Sequence, residues 1–413
     1  MRRLLVLGAG TAGTMVVNKL RRRLPASEWR ISVVEAGEKH FYQPGFLFLP
    51  FGGYTTEQVV KPVAPLVAAG VDLIRGEVDR VDAGQNRVLL SGGRSLPYDY
   101  LVIATGVTPR PDQTPGMLDG GQWRKTIFDF YTYDGAMALA KALDAFDGGR
   151  LVVHITDMPI KCPVAPLEFT FLADAYFRQR GLRDRVELVY ATPLPGAFTK
   201  PIASARLGSM LDDRKVTVEP DFLVERIDDT TLVSYDEREI PFDLLVTVPL
   251  NVGADYVARS GLGNELNLVP VDRHTMLAKA YDNIFALGDA NDIPTSKAGS
   301  VAHFAVEVFA DNFVEYAAGK PMTGSFDGHA NCFVESGNGK ALLIDFNYDT
   351  EPLPGSYPVP FAGPFRLLDE AAVNHWGKLA FRWMYWNLLL PGRPIPLPAH
   401  MSMAGKHIPK SEE

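Results

Sequence analysis

Two cysteines are the residues of this chain with the clearest redox chemistry. Cys162 lies in the segment KCPVAPLEF, and Cys332 lies in HANCFVES. Two thiols are too few for a disulfide scaffold or for a metal site made of cysteine alone, and no metal site is expected. They are enough for one redox pair, whose reactive form is a thiolate. The alternative is that both are buried and inert, the commonest state of a free cysteine.

A glycine motif near the start of the chain predicts dinucleotide binding. The apolar run RLLVL leads into GAGTAG at 8–13, and the helical run TMVVNKLRRRL follows. In this setting Gly8 permits the tight turn, Gly10 lets the backbone approach a pyrophosphate, and Gly13 lets helix and strand pack closely. The next strand, WRISVVEA, ends at Glu35, where an acidic side chain accepts hydrogen bonds from an adenosine ribose. The alternative is an α/β turn without a ligand.

Two later strand ends favour FAD over NAD as the dinucleotide. One strand ends in Ala104-Thr105-Gly106 and another in Gly288-Asp289, where the aspartate can bond a ribityl hydroxyl. With the glycine motif, these segments resemble the flavoprotein oxidoreductases that contain two dinucleotide-binding folds. The resemblance spans most of residues 1–320. It implies an α/β fold of two Rossmann-like domains, with the second inserted into a discontinuous FAD domain.

The inserted domain lacks the glycine loop that would bind NAD(P)H. A strand is expected at 150–156, but the segment DMPIKCP at 157–163 follows it and contains no G-x-G-x-x-G. Its prolines lack the N–H groups that a phosphate cradle needs. Cys162 stands where nicotinamide chemistry would otherwise take place, and this substitution favours the redox pair over two inert thiols.

The KCPVAP-x-E string and the later NCF string resemble sulfide:quinone oxidoreductases and the related flavocytochrome sulfide dehydrogenase flavoproteins. The resemblance implies that Cys162 and Cys332 flank the flavin and are bridged by a disulfide or by extra sulfur atoms. Hydrosulfide would attack a disulfide sulfur, which is ordinary thiol–disulfide chemistry. The resemblance assigns attack on the flavin to Cys332 and sulfur carriage to Cys162. Glu168 matches a family acid that could handle protons; the alternative is a surface helix glutamate.

The resemblance also implies a set of cofactor and quinone contacts. A family cysteine that anchors FAD is absent here, since FYQPG offers Tyr42 and no thiol, so noncovalent FAD is expected. A third cysteine is missing from TIFDFYTYDG, and a family histidine is replaced in GAFTKP by Phe198 and Lys200. Gly299 and Phe333 match quinone-site positions, although a lone phenylalanine can equally be a core residue. The predicted cofactor-binding residues are Gly8, Gly10, Thr11, Ala12, Gly13, Glu35, Ala36, Pro44, Val78, Thr105, Gly106, Gly288, Asp289 and Lys297.

The C-terminal region predicts contact with a membrane surface. A helix is expected at about 369–390, with Trp376, Trp383 and Trp386 at helical spacing and a basic edge of Lys378 and Arg382 beside His375. Such a helix can lie in the membrane interface, as a lipid-soluble quinone requires. The alternative is a helix docked on the core with its aromatic residues inward. Monotopic attachment is predicted, on an unassigned side of the membrane.

Size and charge bound the remaining possibilities. With 413 residues, the chain is expected to divide into an FAD domain at 1–115 and 245–320, an inserted domain at 116–244, and a quinone and membrane region at 321–413. A net charge of -8 argues against nucleic-acid binding through a general basic surface. No uncharged apolar run reaches the ~18 residues of a spanning helix. A homo-oligomer is compatible with the family.

Three rival functions remain. A type II NADH:quinone oxidoreductase would need the missing second glycine loop, and a flavocytochrome subunit would need an export signal. A flavin that only holds the fold would leave both cysteines without an activity. The predicted partners are therefore hydrosulfide, a membrane quinone and a lipid surface.

Overall fold

The computed structural model describes residues 1–359, 363–395 and 397–408. Its first sheet is entirely parallel, as expected where apolar runs such as RLLVL are buried on both faces. The strand order places the first strand of the chain in the centre. In sheet order the strands are Ile284–Ala286, Tyr100–Ile103, Arg2–Leu7, Trp29–Glu35 and Val71–Arg75.

A second parallel sheet of five strands is built from the middle of the chain. In sheet order its strands are Ile127–Phe128, Leu244–Val248, Gly149–Ile155, Val186–Ala191 and Thr217–Glu219. The expected strand at 150–156 is therefore present. Residues 245–248 pair with this second sheet, although the sequence analysis assigned them to the FAD domain. Their side chains are almost fully buried, which fixes them in the sheet.

A third sheet carries Cys332. Its strands, in order, are Ala330–Gly337, Lys340–Phe346, Gly363–Leu367 and Gly355–Val359. Smaller antiparallel pieces are Val78–Asp82 with Arg87–Leu90 and Ser95–Pro97; Val224–Asp228 with Thr231–Ser234 and Glu239–Pro241; Lys39–Phe41 with Val60–Pro62; and Val107–Pro109 with Asn251–Gly253.

The helices connect the strands and pack on the sheets. Their bounds are Thr11–Arg21, Thr56–Val59, Tyr133–Ala145, Ala165–Gln179, Pro201–Asp213, Asp255–Arg259, Gly299–Ala317 and Ala372–Met384. The last one, called the C-terminal helix below, continues as a π-helical turn over Tyr385–Leu389. This arrangement confirms the α/β fold with two Rossmann-like sheets. Across the described part of the chain, no helix has both the length and the apolar character needed to cross a bilayer.

Candidate active site

A cavity of about 600 Å³ lies at the carboxyl ends of the first sheet's strands. This is where open parallel sheets bind ligands, because the loops that follow the strands converge there. Of the predicted cofactor residues, all but Gly13 line it: Gly8, Gly10, Thr11, Ala12, Glu35, Ala36, Pro44, Val78, Thr105, Gly106, Gly288, Asp289 and Lys297. The predicted Gly299, Cys162 and Glu168 also line the cavity.

The glycine loop has the shape that a pyrophosphate requires. A Cβ atom added to Gly10 would meet nothing within 4 Å, so the backbone there faces open space. A Cβ added to Gly13 would lie 1.9 Å from the carbonyl oxygen of Gly8, so Gly13 serves the packing of helix on strand. Glu35 accepts a hydrogen bond from the Ala9 N–H at 2.7 Å, which fixes its carboxylate beside the loop. These residues fit a dinucleotide.

A second set of polar groups lies around Asp289. Burial raises the pKa of Asp289, while Lys297 and Lys161 oppose this shift. Lys297 donates to the Asp289 carbonyl at 3.1 Å and to the Asn291 carbonyl at 2.7 Å, so two of its three donors are used within the chain. Lys161 reaches Gln43 Oε1 at 2.9 Å on the same cavity wall.

Cys162 lies immediately before the helix Ala165–Gln179, in a left-handed conformation with φ of 49°. Its N–H donates to the Lys297 carbonyl at 2.6 Å, and its carbonyl accepts from the Tyr131 hydroxyl at 3.1 Å. The segment that replaces the missing glycine loop is therefore bonded directly to the segment that follows Asp289. This contact holds Cys162 at the wall of the cavity.

Cys332 approaches from the third sheet. Both cysteines are half-buried free thiols. Burial raises the pKa of Cys162 well above its ordinary value, with further contributions from Glu168 and Cys332. Burial also raises the pKa of Cys332 to about 11, against an opposing hydrogen bond from Ser300, whose hydroxyl lies 4.0 Å from the sulfur. Cys332 therefore lies within electrostatic range of Cys162.

Glu168 is a buried residue beside the two cysteines, with 1% of its surface exposed. The surface-glutamate alternative is therefore wrong, because the first turn of its helix faces the cavity. Its carboxylate accepts a hydrogen bond from the Glu335 N–H at 2.7 Å and pairs with the Lys378 ammonium. Burial raises the pKa of Glu168, and Lys378 limits the shift.

Lys378 was expected on a basic edge of the C-terminal helix, and this expectation is wrong. Its side chain is 12% exposed, points inward to Glu168, and donates to the Phe333 carbonyl at 3.0 Å. Burial opposes its charge, but Glu168 and Glu335 outweigh burial and hold the pKa of Lys378 above its ordinary value. Arg382, the other expected edge residue, lies over the Tyr54 ring at 4.4 Å.

The aromatic residues of the C-terminal region divide between two environments. Trp376 is 65% exposed and Trp383 is 62% exposed. Trp386 is buried, with its indole N–H donating to the Gln58 carbonyl at 3.2 Å. The change coincides with the π-helical turn, which rotates Tyr385 and Trp386 toward the core. The alternative of a helix docked on the core is thus correct for Trp386, at the end of the C-terminal segment. The predicted exposed aromatic face is present at Trp376 and Trp383.

Tyr385 joins the C-terminal region to the glycine loop. Its hydroxyl lies 2.8 Å from the Thr11 hydroxyl and 2.7 Å from His40 Nε2. His40 Nδ1 contacts the Ala9 carbonyl at 3.0 Å, and burial lowers the pKa of His40 to about 4. A neutral imidazole can donate to Ala9 and accept from the tyrosine at the same time. The C-terminal segment therefore completes the cavity wall.

Phe333 lies apart from the cavity wall. Its ring packs against Phe365 with a centroid distance of 5.2 Å and against Gly377 of the C-terminal helix. Gly299, by contrast, begins the helix that borders the cavity, and a Cβ there would meet nothing within 4 Å. Only one of the two predicted quinone residues therefore faces the cavity.

Several cavity residues were not predicted as site residues. Lys378, Phe381 and Tyr385 come from a helix that the sequence analysis assigned to the membrane surface. Their inward direction depends on tertiary packing, and no sequence pattern gave it. Tyr131 and Lys161 lie on either side of Cys162. The only sequence signal for Lys161 was that it directly precedes Cys162, and Tyr131 had none.

Comparison with known proteins places this geometry in a class. Residues 2–153 match the family model described as pyridine nucleotide-disulphide oxidoreductase. Together with the two Rossmann-like sheets, this match defines a flavin-dependent oxidoreductase. Over nearly its whole length, the chain resembles sulfide:quinone oxidoreductases, as the sequence analysis predicted. The mitochondrial sulfide:quinone oxidoreductase of Mus musculus is 26% identical over 397 residues, covering 94% of this chain and 86% of that protein.

Structural comparison agrees with the sequence comparison on the fold. The crystal structure of sulfide:quinone oxidoreductase from Aquifex aeolicus superposes with a TM-score of 0.79 at 20% identity, covering 94% of this chain and 92% of that one. The type II NADH:quinone oxidoreductase of Staphylococcus haemolyticus is 29% identical, but over only 29% of each chain. The likeness to the NADH enzyme is therefore local, whereas the likeness to sulfide:quinone oxidoreductases is global.

Proposed function

We propose that this protein is a sulfide:quinone oxidoreductase, which oxidises hydrosulfide to sulfane sulfur and passes two electrons to a membrane quinone. The observation that carries the proposal is the position of Cys162. It replaces the glycine loop of a nicotinamide site, lines the cavity, and lies within electrostatic range of Cys332. A nicotinamide enzyme would need backbone N–H groups where this chain has prolines.

The cofactor is proposed to be FAD, held without a covalent bond. The glycine loop would hold the pyrophosphate, Glu35 the adenosine ribose, and Asp289 the ribityl chain. Ala36, Pro44, Val78, Thr105, Gly106 and Lys297 would complete the predicted contacts. When bound, the flavin supplies a two-electron acceptor between sulfur and quinone.

The two cysteines are proposed to act as a redox pair. Hydrosulfide attacks one sulfur of the Cys162–Cys332 disulfide; a new S–S bond forms at Cys162, the old one breaks, and Cys332 leaves as a thiolate. Re-formation of the disulfide, with release of sulfane sulfur and of the persulfide proton, then gives up two electrons, for which a bound flavin would be the acceptor. The Lys378 ammonium favours the thiolate forms of both residues. Glu168, beside Cys162, is proposed to hold and release protons.

The membrane contact is proposed to be the exposed face of the C-terminal helix. Trp376 and Trp383 lie two turns apart and are both more than half exposed. Tryptophan prefers the interface between lipid headgroups and hydrocarbon, so this pair suits monotopic attachment. Gly299 and Phe333 are proposed to border the quinone. The domain division stated above and a homo-oligomeric state belong to the same proposal.

An anaerobic titration of the purified yellow protein tests the function. Sulfide should bleach the flavin absorbance, NADH should not, and a soluble quinone should restore it. Cys162→Ser and Cys332→Ser should each abolish bleaching by sulfide but not by dithionite, which controls for an intact flavin site. Normal bleaching by sulfide in both variants would contradict the cysteine mechanism. Bleaching by NADH alone would favour the NADH:quinone alternative.

A liposome sedimentation assay tests the membrane contact. The double substitution Trp376→Ala and Trp383→Ala should release the protein from liposomes while flavin binding is unchanged. Tyr235→Ala is a control, since Tyr235 is an aromatic residue with 70% exposure in the turn that follows the strand Thr231–Ser234. Equal loss of binding in the control would contradict the assignment of this face.

A further inference from the structure

A buried charge network connects the cavity to the protein surface. Glu168 and Lys378 line the cavity and pair with each other. Lys378 also interacts electrostatically with Glu335, a residue with 1% of its surface exposed. His375 Nδ1 lies 3.0 Å from both carboxylate oxygens of Glu335, and its side chain is 21% exposed. The network thus ends at a histidine that solvent can reach.

The proposed reaction needs such a connection. Hydrosulfide carries one proton, whereas reduction of a quinone to a quinol consumes two electrons and two protons. The balance is hydrosulfide plus quinone plus one proton giving sulfane sulfur plus quinol. One proton in every turnover must therefore enter from solvent. The part of the cavity at Glu168 and Lys378 is buried, with side chains 1% and 12% exposed, so titratable side chains are needed to carry the proton there. Histidine is the residue best suited to exchange protons near neutral pH.

We propose that His375 and Glu335 form a proton relay that takes up this proton from solvent and passes it to the Lys378–Glu168 pair at the cavity. The inference rests on the proposed function for its quinone acceptor. His375 and Lys378 are three residues apart on the C-terminal helix, so both reach the strand Ala330–Gly337 from the same face. Glu335 connects them from that strand, and its own N–H bonds Glu168.

The surroundings of Glu335 favour a carboxyl group that can change its protonation state. Burial raises the pKa of Glu335, while Lys378 and His375 oppose the shift. Other titratable or charged groups that face this network are Cys162, Cys332, Tyr54 and Arg382, which lies over the Tyr54 ring. A merely structural ion pair would have no need of an exposed end, whereas a relay requires one.

The relay is tested by the half-reaction that consumes protons. The flavin of the full-length holoprotein is reduced with dithionite, then mixed in a stopped-flow instrument with a water-soluble ubiquinone or with ferricyanide. Ferricyanide accepts electrons without taking up protons, so it reports electron transfer alone. His375→Gln should slow reoxidation by ubiquinone by about 100-fold, the lower end of general acid–base effects, and leave reoxidation by ferricyanide unchanged.

Further arms separate proton transfer from structural damage. Added imidazole should restore the ubiquinone rate of His375→Gln, and Glu335→Gln should show the same slow rate without rescue. His400→Gln is the matched control, because His400 is an exposed histidine on another part of the C-terminal region. Infrared pH-difference spectra can follow the Glu335 carboxyl, whose protonated-carboxyl band is the one lost in Glu335→Gln. This band should titrate at higher pH in His375→Gln, because His375 opposes protonation of Glu335.

The outcomes that overturn the relay are specific. Ubiquinone rates equal to wild type in both variants would exclude it, and so would equal slowing with ubiquinone and ferricyanide. Because dithionite replaces sulfide, the test does not depend on the cysteine chemistry. A wild-type protein that ubiquinone fails to reoxidise would overturn the proposed function itself, before any variant is compared.

Discussion

The pairing of Lys378 with Glu168 allows a quantitative prediction about stability. Lys378→Met removes the ammonium and leaves the Glu168 carboxylate with 1% exposure and the Glu335 N–H as its remaining hydrogen-bond donor. Loss of one partner from a buried ion pair typically costs about 3–5 kcal/mol, because the other charge stays buried without compensation. We expect the free energy of unfolding to fall by this amount where Glu168 is ionised.

The pH dependence gives the prediction its sign. Burial raises the pKa of Glu168, and the loss of Lys378 removes the group that limits this shift. Below the ordinary glutamate pKa, both folded and unfolded states are protonated and the variant is least affected. As the pH rises from there to the raised folded-state pKa, the unfolded state loses its proton first. Stability relative to wild type then falls by up to about 1.4 kcal/mol per pH unit.

Urea unfolding followed by tryptophan fluorescence, from acidic to mildly alkaline pH, measures this effect. Lys340→Met is the matched control, since Lys340 is exposed and lies at a strand start. Adding Glu168→Gln to Lys378→Met should recover part of the loss, because the uncompensated charge is gone. The reasoning is refuted if Lys378→Met stays within about 0.5 kcal/mol of wild type at alkaline pH, the range of an ordinary surface substitution.

Three further predictions concern the cofactor loop and the thiols. Gly13→Ala should destabilise the flavin-free protein in thermal unfolding, since its Cβ would lie 1.9 Å from a carbonyl oxygen. Gly10→Ala should leave that stability unchanged, because its Cβ would meet nothing, and should weaken flavin binding in a fluorescence titration. Equal effects of the two substitutions would contradict the assigned roles. Tyr385→Phe should cost about 1 kcal/mol of unfolding free energy through its lost hydrogen bonds and should speed flavin release. In Cys162→Ser, the rate at which iodoacetamide alkylates Cys332 should be slow at neutral pH. This rate should rise about tenfold per pH unit until the pH nears the Cys332 pKa of about 11. A rate that is already constant near neutral pH would contradict the effect of burial.

Much of the flavin cavity could be predicted because its signals are local in sequence. The glycine loop, Glu35 and Gly288-Asp289 each follow a buried strand, and parallel strands bring their carboxyl ends to one edge. The absence of the second glycine loop could also be read from a short segment, and this absence led to the prediction that Cys162 is a redox residue. The roles of these residues in binding and catalysis remain predictions.

The direction of the C-terminal helix could not be predicted. Its basic residues His375, Lys378 and Arg382 lie on one edge, and periodicity alone places a charged edge of this kind in solvent. Lys378 turns inward because Glu168 and Glu335, distant in sequence, offer it two carboxylates in the core. The family histidine is absent near Phe198, so no residue for proton transfer was predicted there. The structure instead places His375 beside the network, from a segment assigned to the membrane.

The cavity is enclosed by the two ends of the chain. Its glycine loop is made among the first residues, while Phe381 and Tyr385 come near the end. At about 5–20 residues per second, tens of seconds separate their synthesis. A nascent chain can fold its first strands and expose the loop, but it cannot close the wall over a bound flavin until the C-terminal helix has emerged. Flavin should therefore be retained only once the C-terminal helix has been made, and chains stopped before this helix should be colourless.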